Sequence, residues 1–302
     1  MRHVLTQSLV LLIRNHFIMK HLLEIIKLLN VHKTYVYYSL AYGLSTLIVP
    51  LGVQFLVNNL ALSGLWLNIS AFIIFIVIGV IVSQVIKHSQ HILVESLQRE
   101  IYCIEMENWK DFKREGFSHY YFEVLNLLKS FSKSYSNLIE LALIIIFGLS
   151  TIMMFHPMFI PISIIIVLTI VQIYKTSSSA LESSMRESDQ KYKIFDIIQS
   201  KNQIQDNDLK SFLQARDNHF NFIRKKSFKI SALVVIVQGL LLSVGCYLVK
   251  INQLSVGQLV SAEIIIAGIF IPLSKLPLTL EAVYDYETSK YKIAKAMGGS
   301  DE

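Results

Sequence analysis

Only one of the 28 lysines and arginines in this chain, Lys250, falls on one side of its long apolar stretches. Six such stretches run at about 36–58, 69–86, 138–155, 158–174, 230–249 and 258–280. Arg2, Arg14, Lys20, Lys27 and Lys33 precede the first. The connection after the second carries Lys87, Arg99, Lys110, Lys113, Arg114, Lys129 and Lys133. The connection after the fourth is richer still, from Lys175 to Lys229, and Lys275, Lys290, Lys292 and Lys295 close the chain. Strongly basic loops alternating with nearly uncharged ones predict six membrane crossings, with both termini and the two long loops cytoplasmic.

Composition agrees. Of 302 residues, 53% are hydrophobic and only 17% charged, too apolar a balance for an ordinary soluble domain. The run Leu138–Phe155 has a single charge, Glu140, near its start. A crossing needs about 20 such residues, and helices are the expected form because lipid satisfies no open strand edge. The fold class read from the sequence is therefore all-α: a polytopic membrane protein with six long helices. The net charge of +6 lies beside the membrane, where orientation and anionic headgroups account for it, so no nucleic-acid partner is expected. Residues 1–34 read as a cytoplasmic arm with an interfacial helix at Asn15–Leu29, whose Ile18, Leu22, Leu23, Ile26 and Leu29 share a face. Residues 35–302 form the six-helix domain. Cys103 and Cys246 fall in a cytoplasmic loop and a crossing, so no bridge between them is expected.

The uncharged connections are short: Leu62–Leu67, His156-Pro157 and Lys250–Gly257. The basic ones, near 87–137 and 175–229, are long, poor in Pro and Gly, and carry helical apolar periodicity, as in Ile92, Leu93, Leu97, Ile101 and Ile104. They predict helical hairpins that continue the crossings some 30–35 Å beyond the bilayer at about 1.5 Å per residue. One tip gathers Phe117, Tyr120, Tyr121 and Phe122 beside Gly116; the other includes Phe195, Gln199, Asn202 and Ile204. Clustered rings at a tip suit docking into a groove on another protein. They equally suit closing their own hairpin or packing on a second copy.

Polar residues inside the apolar stretches are candidates for function because lipid penalises them. Glu263 stands in VSAEIIIAGIF, and Gln54, Asn58 and Gln238 sit in the first and fifth stretches. These four are candidate cavity-lining residues; helix packing or an outer-rim position is the competing reading for each. Glu140, at an inner boundary, reads as solvated or ion-paired. His88 and His91 have the spacing of a metal pair but no further ligands, so no metal is expected, and nothing resembles a hydrolase triad. Pro50 is expected to kink the first crossing.

Leu254-Ser255-Val256-Gly257-Gln258-Leu259-Val260, then Pro272-Leu273 and the terminal stretch Ala282–Met297, resemble the sixth helix of ATP-binding-cassette exporters. Together with the six-crossing layout, the likeness covers nearly the whole chain; Leu47-Ile48-Val49-Pro50-Leu51 and QFLVNNLAL look like that family's first helix more loosely. The resemblance implies a domain-swapped dimer, with a second copy or a related chain, around a central cavity. It also implies that each cytoplasmic tip presses on an ATPase.

The chain has no G-x-x-x-x-G-K-[ST] phosphate loop and reaches Gly298-Gly299-Ser300-Asp301-Glu302 without one. It is therefore not expected to be an enzyme or to hold a cofactor itself; ATP and Mg belong to a separate cytoplasmic ATPase partner. Three explanations stand: the membrane half of a split exporter, a shortened form of a longer one, or an exporter-derived scaffold or regulatory subunit. An ion-coupled carrier is a further class, but it has no need for such long cytoplasmic hairpins. The expected setting is the bacterial inner membrane.

Overall fold

The computed structural model describes residues 33–60, 66–109, 117–200 and 203–296. The arm with its expected interfacial helix, most of the Leu62–Leu67 turn, the Lys113–Gly116 tip and Asn202 lie outside the described residues, as do the side chains of Phe117 and Tyr120.

Every regular element among the described residues is helical: α1 (Lys33–Ser45), α2 (Ile48–Leu60), α3 (Trp66–Trp109), α4 (Phe117–Phe155), α5 (Ile160–Lys175), α6 (Ser177–Gln199), α7 (Asp206–Lys250), α8 (Val256–Ser274) and α9 (Leu276–Ala296). Six stretches among them are long and apolar enough to cross a membrane, α1–α2 and α8–α9 each counting as one. The apolar parts predicted above are taken as the membrane segments, and their polar continuations as the parts outside.

Proline chemistry explains two interruptions. Pro50 has no N–H for the Thr46 carbonyl and its ring crowds that oxygen, so the chain turns at Thr46–Leu47 and the first crossing divides into α1 and α2. Pro277 acts likewise on Leu273: α8 closes at Ser274, with the Lys275 N–H donating to Pro272 O at 3.1 Å, and α9 begins at once. A third break differs from the expectation of a continuous fourth helix. At Thr176 the backbone leaves helical geometry, and the Thr176 hydroxyl donates back to Ile173 O at 2.9 Å. The hydroxyls of Thr176, Ser177 and Ser179 compete with the backbone for its acceptors, which loosens a helix.

The outer turns are built locally. At His156, Nδ1 accepts from Met158 N at 3.2 Å and opens a single 3₁₀ turn, Pro157–Phe159, before α5. Between α7 and α8, Asn252 takes a left-handed φ of 58°, and Ser255 then caps α8. The Ser255 hydroxyl accepts from Gln258 N at 3.1 Å while the Gln258 side chain accepts from Ser255 N at 2.9 Å. This reciprocal capping box is what the Ser-x-x-Gln spacing inside the Val-Gly-Gln-Leu motif does.

The main core joins α4, α5, α7, α8 and α9 around Ile152, Phe159, Ile166, Leu241, Ile266 and Leu273, all fully buried. α9 packs most extensively on α4, and α2 on α8. Near the inner boundary Tyr35, Phe131 and Tyr135 form a smaller aromatic core. Outside these cores the apolar bands stay bare: Phe75 is 64% exposed, with Ile74, Ile78, Leu168 and Val235 similarly open. So continuous an apolar surface is stable against hydrocarbon rather than water. The protein is an all-α polytopic membrane protein.

Candidate functional site

Three groups of residues stand out from the apolar packing. The first lies among α2, α7 and α8. Gln238 Nε2 on α7 donates to Glu263 Oε1 on α8, so one oxygen of the Glu263 carboxylate is paired across the helix pair. Gly245 on the same face of the pair admits Leu259, whose methyl group occupies the place a Cβ would take. Asn58 Oδ1 accepts from the Gly257 N–H at 3.1 Å and so supports the start of α8 from the neighbouring α2. These bonds place Asn58, Gln238 and Glu263 at helix contacts. Three buried atoms are left over: Gln54 Oε1, Ser261 Oγ and Glu263 Oε2 have no hydrogen-bond partner among the described residues. Unsatisfied acceptors at this depth cost free energy, and a charged one costs most. They make the α2–α8 face the part of the span best disposed to receive a donor.

A groove of about 300 Å³ opens nearby, between α1–α2, α4 and α8. Leu47, Pro50, Ile144 and Ile269 wall it, and Glu140 stands at its edge. Glu140 is ion-paired with Lys87, whose ammonium also lies 4.8 Å from the centre of the Tyr42 ring. None of Gln54, Asn58, Gln238 and Glu263 lines this groove.

The second group is at the ends of the long hairpins, beyond the membrane segments. Phe122 on α4 and Phe195 on α6 meet edge to face, with ring centroids 6.4 Å apart, and Tyr121 adjoins Phe122 at 6.2 Å. The two hairpins therefore touch each other close to their tips. Phe122, Gln199 and Ile204 remain exposed there, as does Ile198.

The third group was not singled out from the sequence. A cavity of about 390 Å³ lies among α4, α6, α7 and α9, beyond the membrane segments. Glu123, buried on α4, accepts from the Tyr192 hydroxyl with one carboxylate oxygen and from the Ser289 hydroxyl with the other; Lys292 lies 3.9 Å away. Burial and the Glu123 carboxylate together push the Tyr192 phenol far above its ordinary range, so it stays a donor. On the opposite wall Glu187 accepts from Arg216 at 2.7 Å and lies 2.6 Å from His219 Nδ1. Burial raises the Glu187 carboxyl, but the bonds from His219 and Arg216 outweigh it and hold it below the usual range. Glu281 adds a longer contact to Arg216 at 3.8 Å. The histidines 88 and 91 join no group of three potential ligands among the described residues.

Asp285 opens onto the same cavity. Partial burial, reinforced by Glu281 and Glu187, pushes its carboxyl up to about 6, while His219 and Lys191 act in the opposite sense. Between about pH 4 and 6 the folded chain thus holds a proton that the unfolded chain has released. This contribution to stability is complete below pH 4 and is lost as pH rises through 6. Asp285→Asn is expected to stabilise the bundle beyond the membrane segments at pH 7.5 by on the order of 1 kcal/mol, cavity water screening the rest, and to make no difference near pH 4. Hydrogen exchange of α9 amides, corrected for intrinsic rates, measures it; a larger gain at acid pH would contradict the assignment.

The signal for this cavity was present only in fragments. Glu281 and Asp285 are four apart, and Arg216 and His219 three apart, each pair on one helix face. Nothing local tells which faces meet.

No protein-family model matches the chain, and no curated protein matches it.

Proposed function

We propose that this chain is the transmembrane subunit of an ATP-driven exporter and couples its helices to a separate cytoplasmic ATPase. The observation that carries the reading is the length of α3 and α7, 44 and 45 unbroken residues, when the bilayer holds only about 20. The excess projects some 35 Å beyond the membrane at 1.5 Å per residue. Helices that long are costly to order unless their ends meet something, and the exposed Phe122, Ile198 and Ile204 give the ends an apolar surface to offer. The face among α2, α7 and α8, with Gln54, Asn58, Gln238 and Glu263, is the proposed contact with cargo, in a dimer whose second copy or related chain completes the pathway. ATP and Mg act on the partner.

Affinity purification of the full chain from native membranes, after photo-crosslinking from the exposed position 198, tests the coupling. An ATPase crosslinked at that position, and lost with Phe122→Ala plus Phe195→Ala, is the expected result. A complex without nucleotide hydrolysis would instead establish the scaffold or regulatory reading, which the bond between Gln238 and Glu263 across α7 and α8 favours. Within an ATPase complex, Glu263→Gln keeps a hydrogen-bonding group opposite Gln238 but removes the charge. Cargo-stimulated hydrolysis is expected to fall on the order of tenfold, equivalent to about 1.4 kcal/mol. Unchanged stimulation at equal expression would leave Glu263 a packing residue.

A further inference from the structure

Among the described residues the half-buried Lys87 and Lys292 have carboxylate partners, and the buried Lys226 does not. Lys87 pairs with Glu140, and Lys292 lies near Glu123 and Asp189. Lys226 on α7 is 4% exposed, yet its ammonium meets only neutral hydroxyls: Ser177 Oγ at 3.3 Å and the Tyr284 phenol. A buried ammonium without a counter-charge is expensive, because hydroxyl contacts replace only part of its hydration.

The surroundings add to the imbalance. Lys226 borders a pocket of about 520 Å³ where α7 passes the break between α5 and α6, together with Arg224, Lys225 and Lys229. No carboxylate lines it. Spacings of three, four and seven put Phe222, Lys225, Lys226 and Lys229 on one helix face, so the concentration of charge is built into the register of α7. The hydroxyl-bearing Thr176 and Ser179 form the facing wall.

The level of the pocket identifies what supplies the missing charge. Lys175 ends the apolar fourth stretch and Ile230 begins the fifth, so the pocket lies where hydrocarbon gives way to headgroups. Phe228, on its rim, is 74% exposed, an aromatic ring at the boundary between acyl chains and water. Chains of a lipid seated here would run along the bare apolar side chains of α5 and α7, including Val171 and Val235.

We propose that this pocket is a binding site for an anionic phospholipid, whose headgroup phosphate is held by Arg224, Lys225, Lys226 and Lys229. The site selects net negative charge: a zwitterionic headgroup would bring its ammonium into a pocket that already holds four cations and no acid. The proposal rests on the six-span reading and is independent of any ATPase, so it survives if the exporter reading fails.

The full chain reconstituted in phosphatidylcholine nanodiscs provides the test. Native mass spectrometry counts retained lipids, and spin-labelled phosphatidylglycerol quenches a fluorophore placed at position 228. Phosphatidylglycerol is expected to be retained and to quench on the order of tenfold more effectively than spin-labelled phosphatidylcholine. Arg224→Gln, Lys225→Gln and Lys229→Gln together alter only exposed side chains and are expected to abolish that preference while leaving the fold intact, checked by circular dichroism. Lys226→Met removes the buried charge itself and is expected to weaken retention while raising thermal stability in pure phosphatidylcholine. Equal quenching by both lipids, or a preference that survives the triple substitution, would overturn the proposal. So would competition by millimolar inorganic phosphate as effective as that by the lipid, since the site would then read a free anion.

Discussion

Gly257→Ala is expected to destabilise the protein by about 2 kcal/mol, within the range found for overpacking a close helix contact. A Cβ at this position would lie 2.5 Å from both the Gln54 backbone carbonyl and Asn58 Oδ1. The Asn58 side chain can swing away, at the loss of its bond to the Gly257 N–H, but the carbonyl belongs to the α2 backbone and moves only with the helix. Two consequences separate this from a generic helix effect. Alanine has the higher intrinsic helix propensity, so the sign expected from α8 alone is opposite. Adding Asn58→Ala to Gly257→Ala is expected to restore only part of the loss, because the carbonyl clash remains. Thermal unfolding of the purified chain in detergent, followed by circular dichroism, gives the comparison; a stabilised Gly257→Ala protein would show that α2 and α8 are not held at this distance.

The second large effect is expected at Glu123. Its carboxylate ties α4 to Tyr192 on α6 and to Ser289 on α9, with Lys292 beside it. Glu123→Ala leaves two hydroxyls without their acceptor and Lys292 with Asp189, at 3.5 Å, as its remaining acid. A loss of about 3 kcal/mol follows from breaking a buried charged hub. Glu123→Gln retains one acceptor and is expected to cost about 1 kcal/mol, the ordinary worth of a hydrogen bond. Hydrogen exchange decides it: amides near Ser289 on α9 and near Tyr192 on α6 should lose protection together in Glu123→Ala, whereas those at Ile152 in the membrane core should not. Faster exchange spread evenly through the protein would deny the hub its local role.

What could be read from the sequence was whatever a helix carries within itself. Hydropathy marked the six spans because a lipid-facing helix needs no knowledge of its neighbours. Pro50 announced the break at Thr46–Leu47 because proline acts on the carbonyl four residues back. The Thr176 break was missed, although a run of four hydroxyl residues has an equally local cause. The Ser255–Gln258 capping box was also within reach of the sequence. The cavity around Glu123 was not: Glu123 and Ser289 are 166 residues apart, and only the packing of α9 on α4 brings them together. The intramembrane residues fall between these cases. Gln238 and Glu263 each stood out as polar groups in apolar helices, but their mutual bond depends on how α7 turns against α8.

The second hairpin has unequal arms. Its outgoing arm is jointed at Thr176, while the returning α7 is a single rod of 45 residues, about 68 Å from end to end. A tilt of about 5° around the middle of such a rod moves its two ends by about 3 Å in opposite directions, with no internal rearrangement. The jointed arm absorbs a comparable displacement by bending. A push delivered near Asp206 would therefore travel along α7 toward Lys250, on the far side of the bilayer, while the joint at Thr176 would let α6 move relative to α5. The hairpin behaves as a push rod beside a hinge, and the hydroxyl run at 176–179 is what separates the two.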